Sequence, residues 1–472
     1  MSRTMLAAVA LVAGTACTLF AAEQARQVGP QRIGAAAVSG DQGWVSDWRQ
    51  TRNALLAADR TATADPTSML VRFNPETTPE QIDLLLEVVG ARTIQQLPLV
   101  DGLYHVAIDR DLAQSLDDAE LFGQWMGIVE YAEPDAIYHL SATPNDTYYS
   151  LLWGLNNTGQ TVNRDRGTAN ADIDANLAWD VWTGSSSFVV GMCDSGILRT
   201  HQDLAANIWS NPGEIPGNGI DDDGNGYVDD TWGWDFYNND NDPTDDNGHG
   251  THTAGTVGAV GNNGVGVTGV CWNVKLAALK IGAADGSISV TAAVNALNYC
   301  VGKGIKLSNH SWGGGASNTS LNNAITAARN AGHLVIAAAG NGGADGRGDN
   351  NDVTPSYPAS YSQDNIIAVA AIDNDNKLAT FSNYGASSVD IGAPGVTIAS
   401  CYNTSTSSYV YLDGTSMATP HVTGVAALVW SKNPTWTYAQ VRDKLYSSGK
   451  AVTALSGKTT TGKCVNANNA IR

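Results

Sequence analysis

Positive charge is scarce in this 472-residue chain. Lys and Arg number 26 against 46 Asp and Glu, a formal net charge of -20. So acidic a surface repels nucleic acid and anionic lipid, which excludes them as partners, and it suits a protein that holds cations. Charge of either sign is sparse, at 15% of residues, while 43% are hydrophobic. That balance excludes a disordered chain and permits a large buried core. Beyond the N-terminus no run is apolar enough to suggest a membrane span. No fixed-period repeat is present, which excludes a solenoid or propeller. There is also no HExxH segment, so the commonest zinc-peptidase pattern is absent.

The N-terminus reads "MSRTMLAAVALVAGTACTLFAAEQ". Arg3 starts it, Met5 to Ala22 are small and apolar, and Glu23 ends the run, so residues 1–22 read as a signal peptide. A membrane anchor is the rival reading, since the run reaches ~18 residues, but Ala, Gly and Thr make it weakly apolar. Cys17 hints at a lipoprotein, yet "AGTA" before it lacks a large apolar residue. Removal of the signal leaves Cys193, Cys271, Cys300, Cys401 and Cys464. Disulfides are open to an exported chain, and an odd count leaves one thiol over. A Cys271–Cys300 bridge with a Cys401–Cys464 pair is one of the three connectivities those four residues allow.

The length exceeds one ordinary domain of ~100–200 residues. Residues 23–65, rich in Ala, Gly, Ser and Thr, read as a linker. Residues 66–140 read as a small α+β unit of order β-α-β-β-α-β, the split ferredoxin-like pattern. Its first helix has Thr78 as N-cap, Pro79 at the first position and Gln81 completing a capping box. Ile82, Leu85, Leu86 and Val89 give it one apolar face. A core of fewer than ~80 residues is marginal alone. From residue 141 to 472, continuous apolar strands such as "SFVVGMCDS", "KLAALKI", "IKLSNHSW", "HLVIAAAGN" and "IIAVAAID" alternate with helical segments. Such strands suit a parallel sheet covered on both faces. The prediction is a doubly wound, mostly parallel α/β sheet with its site at the carboxyl ends of the strands.

Three segments carry chemistry at such ends. Asp194 follows an apolar strand in "VVGMCDSGI". His249 opens a helix in "DNGHGTHTAGTVGAV". Ser416 stands at the start of a long apolar helix in "LDGTSMATPHVTGVAALVW", with Pro420 expected in the first turn. Singly, each has a plain structural reading: a turn-capping carboxylate, a packed histidine or half of a zinc pair with His252, and a helix N-cap. Jointly they supply a hydroxyl, an imidazole to take its proton, and a carboxylate to fix the imidazole. Their chain order, Asp-His-Ser, is that of subtilisin. Cys193 adjoins Asp194, but alternation along a strand turns its thiol to the other face, so it reads as a buried inert thiol. His421 reads as structural.

With "DSGI", "HGTHTAGT" and "GTSMATPHV" all intact, residues 145–472 resemble the subtilisin-like serine proteases, and residues 66–140 resemble that family's inhibitory propeptide. The resemblance implies a nucleophile at Ser416, a general base at His249 and an orienting carboxylate at Asp194. The segment "IAAAGN" resembles the family's oxyanion strand, which assigns the Asn341 amide. "HSWGGG" resembles its substrate-pairing edge. Ser311, Trp312, Gly313, Gly314 and Gly315, with Ala339 and Gly340, are then the walls of a roomy pocket without an acid, suited to apolar side chains. The implied protein is a secreted, extracellular, monomeric endopeptidase made as a zymogen. Its propeptide assists folding, inhibits, and is cut near 139–146, and no membrane contact remains after signal removal.

The acidic surplus gathers between Asp194 and His249. In "DDDGNGYVDD", Asp221, Asp223, Asn225, Tyr227 and Asp229 take positions 1, 3, 5, 7 and 9 of a calcium loop, and Gly226 allows its sharp turn. Trp232 stands where an EF-hand has Glu, and Pro212 and Pro216 preclude an incoming helix, so no opening switch is expected. A solvated acidic loop is the alternative. The resemblance implies two further calcium sites. One comprises Asp235, Asp240, Asp242 and Thr244, as in the thermitase branch. The other comprises Asp203 and Asn263 side chains with carbonyls of Gly261, Val265 and Val267.

Overall fold

The computed structural model describes residues 64–89, 91–108, 128–136, 143–343 and 345–472. The expected signal peptide, the linker up to residue 63, the second helix of the small unit and the segment 137–142 lie outside the described residues. The chain separates into two compact units, Met1–His139 and Leu140–Arg472.

In the first unit, β1 (Ala64–Phe73), α1 (Pro79–Val89), β2 (Ala91–Gln96), β3 (Leu103–Ile108) and β4 (Val129–Ala136) follow in order. They build an antiparallel sheet ordered β2-β3-β1-β4, so β3 is inserted between β1 and β2. The capping box forms as expected. The Thr78 N–H donates to Gln81 Oε1 at 2.9 Å, and the Gln81 N–H donates to Thr78 Oγ1 at 3.4 Å. Ile82, Leu85 and Leu86 are buried against Met69, Val71, Phe73 and Val106 of the sheet.

The second unit holds the main sheet. Its strands are β5 (Gly184–Asp194), β6 (Gly233–Asp235), β7 (Asn273–Lys280), β8 (Leu307–His310), β9 (Leu334–Ala338), β10 (Ile366–Ile372) and β11 (Ile391–Pro394). A hairpin of β12 (Ile398–Tyr402) and β13 (Ser408–Leu412) follows, then β14 (Lys450–Ala451) and β15 (Lys463–Cys464). The order is β14-β15-β11-β10-β9-β8-β5-β7-β6. Every pairing is parallel except β14 with β15. The principal helices are α2 (His249–Gly258), α3 (Val290–Gly302), α4 (Thr319–Asn330), α5 (Thr415–Lys432), α6 (Tyr438–Ser448) and α7 (Ala467–Ile471).

Period-two alternation divides the core between the two faces of this sheet. Val190 and Met192 of β5, Leu334 and Ile336 of β9, and Ile367, Val369 and Ala371 of β10 pack with α2 and α5. Their neighbours Cys193, Val335, Ala337, Ala368 and Ala370 pack with α3 and α4. The sheet is therefore doubly wound, as predicted. Burying both faces explains why its strands read as unbroken apolar runs.

Two expectations need correction. All five described cysteines are buried free thiols. Cys271, Cys401 and Cys464 belong to the α2/α5 face, whereas Cys193 and Cys300 belong to the α3/α4 face. A strand-edge residue and a helix-end residue share a level in the sheet, yet here its full thickness separates Cys271 from Cys300. Pro420 also does not sit in the first turn, because α5 begins at Thr415 and carries Pro420 inside it. A proline there leaves the carbonyl four residues back without its helical donor. That carbonyl belongs to Ser416, and Ser311 Oγ donates to it at 2.8 Å. The loop beside the nucleophile candidate thus takes over the bond that the helix forfeits.

Candidate active site

Asp194 ends β5 and His249 begins α2. His249 Nδ1 lies 2.7 Å from Asp194 Oδ1. The same oxygen accepts the Ser195 N–H at 2.8 Å, and Oδ2 accepts from Thr253 Oγ1 at 3.1 Å. Asp194 is buried, and with Nδ1–H committed to it the imidazole presents Nε2 as its basic nitrogen. Burial works against charge on His249, but the adjoining Asp194 carboxylate, helped by Asp245, outweighs it and raises the imidazole pKa above its ordinary 6.5.

Asp245 was not singled out in the sequence, and it assembles this corner. Its Oδ1 accepts from Ser195 Oγ at 2.8 Å and from the N–H groups of Asn247 and Gly248 at 3.0 and 2.9 Å. Its Oδ2 accepts the Thr251 N–H at 2.9 Å, and Ser195 Oγ accepts the Gly250 N–H at 2.9 Å. The turn after Asp194 is thereby tied to the first turn of α2. Close approach also requires Gly250, because a Cβ there would lie 2.2 Å from the Gly196 carbonyl oxygen.

Ser416 is the second residue of α5, where a backbone N–H has no partner within the helix. Its hydroxyl donates to the Ser311 carbonyl at 2.9 Å. Asn341 Oδ1 accepts the Thr415 N–H at 2.8 Å and Thr415 Oγ1 at 2.9 Å. Because a backbone N–H fixes the oxygen end, the amide –NH2 is the end left to donate. A cleft of about 580 Å³ brings Asp194, His249, Asn341 and Ser416 together with Ser311, Trp312, Gly313, Gly314 and Gly340. Gly315 and Ala339 do not line it, since Ala339 is buried under the α3/α4 face and Ala338 takes its place. Tyr357 and Tyr361, unforeseen from the sequence, also line it. The Gly314 N–H donates to the Tyr357 carbonyl at 3.0 Å and closes that wall. Asp194 is the sole carboxylate among the described lining residues.

The remaining histidines near the cleft are structural. His252 Nε2 donates to the Ile398 carbonyl at 2.9 Å, and burial lowers its pKa to about 3. His421 donates through Nδ1 to the Met417 carbonyl, and burial lowers it to about 4. Cys193 faces the core away from the cleft, as alternation predicts. Its proximity to Cys300 and its burial push the thiol pKa well up.

The three acidic stretches behave differently. Asp203 and Asn263 meet, with Asn263 Nδ2 donating to Asp203 Oδ1 at 2.9 Å. The Val267 N–H and Tyr409 hydroxyl both donate to Asp203 Oδ2 at 2.8 Å. Val265 contributes its N–H to Asn263 Oδ1 at 2.7 Å, and Gly261 lies in the same loop. Asp146 joins them, unforeseen from the sequence. Its Oδ2 accepts the Asn262 N–H at 2.7 Å, and its buried Oδ1 has no partner. Burial raises the pKa of both Asp146 and Asp203. Two buried carboxylates with an orphaned oxygen fit a hard cation.

Asp235, Asp240, Asp242 and Thr244 fit one less well. The buried Lys280 ammonium lies 3.1 Å from Asp235 Oδ2, and Arg199 pairs with Asp242 at 2.7 Å. The Thr244 hydroxyl donates to Asp242, and Asp240 Oδ1 accepts the Asp242 N–H at 3.0 Å. Here the chain supplies its own cations. In the third stretch, Asp221 Oδ1 and Oδ2 accept the N–H groups of Asn225 and Gly226 at 3.0 and 2.8 Å. Asp229 is buried and accepts the N–H groups of Asn218 and Gly219 at 3.0 and 2.9 Å. Asn225 bonds Asp230, and the Tyr227 ring packs edge-on against Phe236 and Tyr299.

The profile of the Subtilase family matches residues 185–463. The chain is 34% identical over 368 residues to a thermophilic serine proteinase of Bacillus sp. (strain AK1), covering 77% of this chain and 78% of that protein. It is 39% identical over 290 residues to thermitase of Thermoactinomyces vulgaris, covering 61% of this chain and 86% of that one. A solved protease from Pseudoalteromonas arctica aligns with a TM-score of 0.55 at 29% identity, over 70% of this chain and 99% of that one.

Proposed function

Because the chain belongs to the subtilase family of serine peptidases, we propose that it is a secreted endopeptidase, made as a zymogen, that cuts peptide bonds through Asp194, His249 and Ser416. The observation that carries this reading is the 2.7 Å His249–Asp194 contact in one cleft with Ser416 and the locked Asn341 amide. A rotation about χ1 takes the Ser416 hydroxyl from the Ser311 carbonyl to His249 Nε2. The oxygen then attacks the peptide carbonyl carbon while Nε2 takes its proton, and Asp194 stabilises the imidazolium. The Asn341 –NH2 and the Ser416 N–H hold the oxyanion. Collapse expels the amine with the proton from His249 and leaves an acyl-serine, which water hydrolyses by the same steps.

Substrate enters as an added strand beside Ser311–Gly313, between that segment and the Ala338–Gly340 wall. Gly313, Gly314, Ala338 and Gly340 leave room, and walls without a charged side chain favour an apolar side chain. The first compact unit is read as the propeptide. The division at His139/Leu140 supports a cut in 139–146. Asn145 and Thr147 are tied to the 262–264 loop, which favours cutting before Asn145. The signal-peptide pattern of residues 1–22 supports export.

Calcium is the cofactor this reading assigns to Asp146, Asp203 and Asn263, with Gly261, Val265 and Val267 as the family's carbonyl ligands. It would neutralise buried carboxylates and brace the start of the catalytic unit. The decisive experiment is Ser416→Ala expressed as the full chain. The precursor should stay uncut and hydrolyse no casein, and self-processing at the normal rate would refute the assignment.

A further inference from the structure

The loop between β5 and β6 folds its acidic residues around a point that the DxDxNG spacing does not predict. Carboxylate oxygens of Glu214, Asp221 and Asp223 lie within 4.8 Å of one another. That is the span of two oxygens set opposite each other at ~2.4 Å from one ion, the calcium–oxygen distance. Acidic groups cluster on many surfaces without an ion, so the cluster alone decides nothing. Glu214 is the deciding residue. It is only 8% exposed, its Oε1 accepts the N–H groups of Asp222 and Asp223 at 3.1 and 3.3 Å, and its buried Oε2 has no partner among the described residues. An unpaired buried carboxylate oxygen costs several kcal/mol in general, so few are left without a compensating cation.

The charges around it point the same way. Asp222 turns away, accepting from the Ile215 N–H and the Asn218 amide at 3.0 and 2.9 Å. Asp230 is fully buried behind the cluster and takes hydrogen bonds from Asn211, Asn225 and Tyr299. Lys303, which follows α3, is the one cation among the described residues paired with the group; it contacts Asp223 and lies 3.6 Å from Asp230. Four carboxylates thus share a single ammonium.

From this geometry we infer that Glu214, Asp221 and Asp223 form a calcium site of their own, separate from the Asp203 centre. Glu214 enters from the N-terminal side of the loop and supplies the carboxylate that an EF-hand places at its twelfth position, where this chain has Trp232. Asp229 stays outside the ligand set. The site pins residues 214–223 into a closed loop and leaves the cleft chemistry untouched.

The test is direct calcium binding to the chelator-stripped full chain carrying Ser416→Ala, which removes autolysis and needs no activity. Adding Glu214→Gln should abolish one bound calcium per chain, or weaken it at least tenfold, while adding Asp203→Asn should remove a different one. Lys303→Gln carries the opposite sign. Losing the neighbouring positive charge should tighten the same calcium several-fold, whereas a merely structural lysine would leave binding unchanged or weaken it. If Glu214→Gln fails to fold, Asp221→Asn and Lys303→Gln decide. Calcium binding that is identical across these variants overturns the proposal.

Discussion

The cleft and the acidic loops solve opposite problems with the same residue types. At the cleft, the groups are aimed by other groups of the chain. Asp194 holds His249, Asp245 holds the turn beneath them, and Thr415 holds Asn341. In the loops, Asp146 and Glu214 each keep a buried oxygen with no protein partner. On the proposed reading the chemistry is completed internally, while part of the stability is left to an ion. Substitutions in the two regions should therefore separate rate from stability.

The largest separation is expected at Asp194→Asn. That change should cut kcat by about 10⁴-fold, because the imidazole is left in the wrong tautomer, with the melting temperature nearly unchanged. An equal collapse of both would erase the distinction. Asn341→Ala comes next, with kcat lower by about 10²–10³-fold and KM for a short peptide nearly constant.

The acid limb of kcat/KM sharpens the same point. The proposed mechanism requires neutral His249, whose pKa is raised above 6.5, so the limb should lie above 6.5 and move down in Asp194→Asn. The sign for stability is opposite. The raised pKa means the folded state binds the proton more tightly, so this contribution is full below the unfolded value and is lost as pH rises through the folded one.

On the loop side, Asp203→Asn or chelation should lower the melting temperature and hasten autolysis while leaving low-temperature kcat unchanged. An ion at 100 times its dissociation constant supplies about 2.7 kcal/mol. The raised carboxyl pKa values of Asp146 and Asp203 make protons compete with the ion. The calcium-dependent shift in melting temperature should therefore shrink as pH falls toward the carboxylate range. The smallest effect is expected from Asp242→Asn, where Arg199 already supplies the positive charge, and pairs of this exposure contribute little.

How much of this was legible follows chain distance. Asp194, His249 and Ser416 each sit in a short motif beside a strand or helix end, and the unbroken apolar runs marked the buried parallel strands. The capping box of α1 spans four residues and was read correctly. What escaped depends on residues far apart in sequence. Asp146 meets the Asn262–Asn263 loop across 116 positions, and Ser311 reaches the Ser416 carbonyl across 105. Asp245 lies in an acidic run and Glu214 stands alone in a Pro- and Gly-rich turn, and nothing local shows that either carboxylate turns inward. The cysteine pairing failed for a related reason: spacing along the chain gives the level of a residue in the sheet but not the face on which its helix packs.

The central claim, that Ser416 is the nucleophile activated by His249, is tested most directly by a serine-directed covalent phosphonate followed by peptide mass mapping of the processed protein. A single adduct on Ser416, prevented when His249 of the processed protein is first alkylated, is the predicted result. An adduct on Cys193, or labelling of Ser416 that is indifferent to His249, would contradict it.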